Sequence, residues 1–178
     1  MTHGWHALVL AALIGATSAP AMHALTQSSA AVDTTAPTTL VIGGDVTQTL
    51  TLQPAELKAM PRTTVTVSEE GREIKYEGVL VGELLKRAGA PVGRDLSGKA
   101  VATYVRASAK DGYQVVFSLA ELDPGFTSND IIVADTIDGK PLFDYQGPLR
   151  IVAPHDKRGA RSIRMLQRIE VVRLVKYS

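Results

Sequence analysis

GPLRIVAPHDKRGARSIRMLQRIEVV, residues 147–172, is the stretch on which the reading of the fold turns. It enters through an apolar run in which Leu149, Ile151 and Val152 flank Arg150, and this run stops at Pro154. It leaves through a second apolar run from Ile169 to Val175. Short β-branched runs bounded by Pro and polar residues read as strands. Between them stand His155, Lys157, Arg158, Arg161 and Arg164 against one acid, Asp156, although the formal net charge of the whole chain is only +1. The positive charge is therefore local. Such a loop, with Gly159 letting the backbone come close, makes a seat for phosphate, sulfate or a carboxylate, because Arg offers a planar fork and Lys a point charge. Ser162 is positioned to start a helical turn through Gln167, whose free backbone N–H groups would join the same pocket. The competing reading is a turn of solvated charges.

Working outward, the rest of the chain supplies enough apolar sequence for one folded domain: 45% of its residues are hydrophobic and 21% charged. The near-neutral balance leaves no basic face of the kind nucleic acid requires. Residues Ala7 to Ala16, ALVLAALIGA, are too short to span a bilayer and precede the small-residue site Ala19-Pro20-Ala21. This predicts a secretory signal peptide over residues 1–21, with an uncleaved anchor or a cut after Ala24 as alternatives, and hence a periplasmic or secreted protein with no membrane span after cleavage. Residues 22–39, rich in Ala, Thr, Ser and Pro without periodicity, predict a flexible tether, and the folded domain is expected over 40–178. With no cysteine in the chain, disulfides, thiolate catalysis and cysteine metal sites are excluded.

Turn chemistry divides the domain. Leu40–Gly43 and Thr47–Leu52 predict a hairpin, and Pro54 opens a short helix to Met60. Thr63–Val67 and Glu73–Glu77 predict a second hairpin about Ser68 to Gly71. Val81, Leu84, Leu85 and Ala88 share one helical face, ended by Gly89. A third hairpin, Ala100–Ser108 with Tyr113–Phe117, turns on Asp111-Gly112, with Tyr104 and Val115 expected to pack across it. Ser118 and Glu121 form a capping box, and Ile131–Ile137 is a further strand closed by Asp138-Gly139. Leu84, Leu85, Val115, Ile132, Ile151 and Val171 are expected to share one core. Hairpins outnumber helices, so the expected class is α+β with a mixed, largely antiparallel sheet and short helices.

Other chemistry finds little support. Four histidines, of which only His155 and His23 follow the apolar leader, cannot assemble a histidine metal site. Ser68 beside Glu69 and Glu70 has no partner histidine and reads as a polar turn. Tyr113 and Tyr145 end predicted strands and are candidate pocket walls, though rim or core packing is the commoner fate of such residues. Neither a G-x-G-x-x-G, a P-loop nor an H-E-x-x-H motif is present.

The segment from Gly78 to Gly89, the triplet Asp111-Gly112-Tyr113, Asp138-Gly139 before Pro141-Leu142, and Gly147-Pro148-Leu149-Arg150 together resemble the molybdopterin-binding domain of the sulfite oxidase family across most of residues 40–174. The resemblance implies an α+β fold and a molybdenum pterin cofactor gripped by His155, Lys157, Arg158, Arg161, Ser162 and Arg164. Arg164 would stand where the family's G-x-x-x-x-K-like loop, here Gly159 to Arg164, carries lysine. The family's metal-ligating cysteine follows the strand equivalent to Thr63–Val67, where this chain has Ser68 nearby and no cysteine. By resemblance the chain is an exported molybdopterin-dependent oxidoreductase-like protein, which has an electron-transfer partner if it acts as one. The alternative is a non-catalytic periplasmic module for a small anion or an acidic partner protein.

Overall fold

Strands dominate residues 39–174, which the computed structural model describes; the expected signal peptide and nearly all of the expected tether lie outside them. In chain order the strands are β1 (Leu40–Gly44), β2 (Leu50–Leu52), β3 (Thr63–Glu69), β4 (Arg72–Leu80), β5 (Thr103–Ala109), β6 (Gln114–Ser118), β7 (Ile132–Ile137), β8 (Lys140–Pro141), β9 (Arg150–Val152) and β10 (Leu166–Arg173). The α-helices are α1 (Pro54–Lys58) and α2 (Val81–Arg87), and five short 3-10 turns complete the described elements. The class is α+β, as expected, but the strands form two sheets. One runs β2-β1-β10-β5-β6; the other runs β3-β4-β7-β8, with β9 also on β7. All pairings are antiparallel except β1 with β10. That pairing makes the first sheet mixed.

The hairpins follow from their turn residues. Glu70 and Gly71 adopt φ of 51° and 78°, so β3 passes into β4 through a two-residue turn whose handedness matches the strand twist. Asp138 and Gly139, at 46° and 76°, do the same between β7 and β8. Around Asp111-Gly112, the Asp111 Oδ1 accepts from the Tyr113 N–H at 3.0 Å. The Ser118–Glu121 box forms reciprocally, with bonds of 2.6 and 3.2 Å. The Gly147–Pro148 peptide is cis.

Three expectations change. Val115 lies opposite Ala107, and Tyr104 opposite Ser118, so Tyr104 and Val115 are not cross-strand partners. The expected single core is two: Leu84, Leu85, Val115, Ile151 and Val171 pack together, while Ile132 joins Val65, Tyr76, Ala134, Leu142 and Val152. Period two explains this division, because β7 is covered on both faces and sends Val133 into the first cluster and Ile132 into the second. Finally, no helical turn runs from Ser162 to Gln167. Gly159–Arg161 makes one 3-10 turn, Met165 takes φ 49°, and Leu166 is already the first residue of β10. The Ser162 hydroxyl instead accepts the Ala153 N–H at 3.1 Å, tying the loop to the end of β9.

Candidate functional site

The loop after β9 does not stand alone in solvent. It faces the β3–β4 turn, the β5–β6 turn and Tyr145 across a cavity of about 720 Å³, a volume typical of small-ligand sites. Its wall includes Glu69, Glu70, Asp111 and Tyr113 from the two hairpin turns, and Lys157, Ser162, Arg164 and Met165 from the loop. Sequence reasoning took Glu69 and Glu70 as turn residues unlikely to border a cleft. The cleft exists because two hairpins from different sheets end at the same loop, and nothing in the local sequence encodes that convergence.

Arg150 is the residue that sequence reasoning missed as a site residue. It leaves β9 on the same face as Val152, lines the cavity, and is only 3% exposed. Its guanidinium lies 4.6 Å from the centroid of the buried Tyr76 ring. Nη1 donates to the Tyr76 hydroxyl at 2.8 Å and to Gln146 Oε1 at 2.7 Å. Among the described residues Nη2 has only Glu69, at 4.0 Å, and Nε has no partner. Burial pulls the Arg150 guanidinium below the usual arginine range, with Tyr76 and Glu69 opposing the shift, and burial raises the Tyr76 phenol. A lone Arg flanked by the apolar residues Leu149, Ile151 and Val152 was the available signal, since a charge is seldom buried without a partner.

The six residues expected to hold a cofactor divide by position. Lys157, Ser162 and Arg164 line the cavity, and Arg164 stacks 4.9 Å from the Tyr145 ring centroid. His155 and Arg158 are exposed on the same loop but outside the cavity lining. Arg161 is also outside it. Its Nε and Nη2 donate to both oxygens of Asp156 at 2.9 and 2.7 Å, its Nη1 donates to Glu121 at 3.0 Å, and its guanidinium covers Phe117 at 4.7 Å. These bonds hold its pKa above the usual arginine range. Arg161 thus braces the loop against the capping box after β6. Tyr113, one of the two expected wall tyrosines, donates its hydroxyl to the Ala160 carbonyl at 3.0 Å and so bridges hairpin and loop.

The family profile described as "oxidoreductase molybdopterin binding domain" matches residues 28–176. The chain belongs to that family. The crystal structure of the sulfane dehydrogenase SoxCD from Paracoccus pantotrophus is similar in fold to this family member, with TM-score 0.60 and 20% identity. The match covers 75% of this chain and 37% of that one. No curated protein matches the chain at a significant level.

The family's cofactor can be tested against these side chains. Its anionic and hydrogen-bonding part fits: Lys157 and Arg164 are free of ion pairs among the described residues, and the buried Arg150 has an unused Nε. The metal's part finds no soft donor of the thiolate kind, because the chain has no cysteine. Among the described residues no group of three or more His, Asp or Glu is placed to hold a metal ion either.

Proposed function

We propose that the cavity seats an anion-bearing ligand, with the family's pterin cofactor as first candidate, in an exported domain that binds this ligand without supplying a thiolate to a metal. The observation that carries this reading is Arg150: a guanidinium 3% exposed at the cavity wall, with one nitrogen unpartnered and its nearest counter-charge 4.0 Å away. A buried cation in this state gains from an anion brought beside it more than an exposed one does, because the cost of its desolvation is already met by folding. In this reading Lys157 contributes a compact charge, Arg164 a fork held in place by Tyr145, and Ser162 a hydroxyl hydrogen left over after accepting from Ala153. His155 and Arg158 raise the potential at the mouth without touching the ligand. In the family the redox chemistry belongs to the molybdenum that the pterin carries; what this chain would contribute is the grip on the pterin's charge. Export is supported by the apolar run Ala7 to Ala16 and its small-residue site, and among the described residues no helix is long and apolar enough to cross a membrane.

Protein purified from its host tests the whole reading. The mature chain is expected to begin at Met22, and denaturation is expected to release pterin, or another anion, in the absence of stoichiometric molybdenum. Arg164→Gln and Lys157→Gln are each expected to weaken rebinding by roughly two- to fivefold, the scale of one partly exposed charge contact. Stoichiometric molybdenum that survives dialysis would overturn the thiolate-free reading. Rebinding indifferent to both substitutions would return the loop to a turn of solvated charges.

A further inference from the structure

The cavity wall carries more than positive charge, and its two signs are sorted by element. The cations Arg150, Lys157 and Arg164 come from β9 and the loop after it; the acids Glu69, Glu70 and Asp111 come from the two hairpin turns, with Asp156 alone on the loop. Asp156 is already neutralised by Arg161 at 2.7 Å, and Glu69 faces Arg150. Removing these pairs leaves Lys157 and Arg164 on one side and Glu70 and Asp111 on the other, none of them in an ion pair among the described residues.

We propose that the ligand is zwitterionic: an anionic group held by Lys157, Arg164 and the buried Arg150, and an ammonium or amidine-like group held by Glu70 and Asp111. This rests on the anion-binding reading above and names the class of ligand that reading left open. A simple anion entering the cavity gains two free cations but meets two free carboxylates on the opposite, solvent-exposed wall. A ligand bearing both signs satisfies all four. The acidic side, which would hold the ligand's cationic group, has its own fixed geometry. Glu70 is fixed in the left-handed region at φ 51° by its turn. Asp111 uses Oδ1 to cap the Tyr113 N–H, which leaves its other oxygen free. The Tyr113 ring beside it is half-exposed, lines the same cavity and is held by the bond from its hydroxyl to the Ala160 carbonyl. Arg150 meanwhile supplies the buried, incompletely partnered donor that a ligand must complete.

Two probes of similar size separate the alternatives: phosphoethanolamine, which carries a phosphate and an ammonium, and glycerol 3-phosphate, which carries the phosphate alone. In NMR titrations of the purified protein, phosphoethanolamine should bind more tightly by on the order of fivefold, the gain from one partly screened ion pair. The double variant Glu70→Gln/Asp111→Asn, which keeps the turn geometry because both new side chains retain an acceptor oxygen, should bring the two affinities together. Lys157→Gln should weaken both probes by the same factor. Equal affinities in the unsubstituted protein, or a preference that survives the double variant, would overturn the proposal while leaving the anion reading intact. Failure to bind either probe would also overturn it, and release of pterin from the native protein would then show that the anion reading had not fallen with it.

Discussion

Replacing Arg161 with alanine separates a brace from a ligand contact, and the structure sets the magnitude. The side chain holds Asp156 through two parallel bonds of 2.9 and 2.7 Å and Glu121 through one of 3.0 Å, and it covers Phe117. Its side chain is 35% exposed, with Asp156 and Glu121 at 21% and 23%, so each ion pair must be discounted for solvent screening. Two such pairs at about 0.5 to 1 kcal/mol each, with about 0.5 kcal/mol for the cation over the ring, give a loss of about 2 kcal/mol. For a domain of this size that lowers Tm by roughly 5 to 10 °C. Differential scanning calorimetry measures it. Arg161→Lys should recover less than half, because an ammonium cannot make the parallel pair. In about 1 M salt the difference between the alanine variant and the unsubstituted protein should shrink toward the ring contribution. If Arg161→Ala melts within about 1 °C of the unsubstituted protein while ligand binding collapses, Arg161 is a ligand contact and the brace reasoning fails.

Two further predictions test the scaffold. Leu85→Ala removes a side chain that is 0% exposed on the inner face of α2 and should cost about 2 to 5 kcal/mol, seen as a lower urea midpoint at unchanged slope; an unchanged midpoint would mean that α2 does not pack as described. Tyr76 is buried with its phenol pKa raised, so the folded state keeps its proton after the unfolded state has released it. Its contribution to stability is therefore fully present below about pH 10 and is lost as pH rises through the folded value. Tyr76→Phe should flatten the fall in unfolding free energy above about pH 10, and an equally steep fall in the variant would assign it to other groups.

Much of the fold could be read from local signals because those signals act over a few residues. Asp138-Gly139 favours a left-handed two-residue turn by its residue types, Gly71 supplies the second left-handed position after Glu70, and Gly89 ends α2 because a residue at φ 76° is strained with any side chain. Long-range pairing left no such trace. The division of Ile132 and Ile151 between two cores depends on the register in which β9 pairs with β7, Ile132 opposite Val152 and Val133 opposite Ile151, which no turn residue fixes. The helical turn expected after Ser162 failed for a related reason: Leu166 is already committed to pair with Ala109, and Met165 turns the chain into that strand.

The site was legible to the extent that charge is legible. The basic loop was visible as composition, yet composition cannot distinguish a charge with partners from one without. Arg161 and Arg164 are three residues apart and look alike in sequence; one is held by Asp156 and Glu121, while the other, among the described residues, has no ion pair and stacks on the Tyr145 ring. Arg150 was hidden for the opposite reason, since it lies in an apolar strand where a side chain is assigned to the core by its neighbours. Its burial carries a desolvation cost that its bonds to Tyr76 and Gln146 and the distant Glu69 offset only in part, and a hydrophobic residue of similar size would often pack in such a place at no loss of stability. An arginine kept at the wall of a cavity, with Nε unused and a tyrosine ring spent on steadying it, is better explained by something that enters the cavity than by the stability of β9.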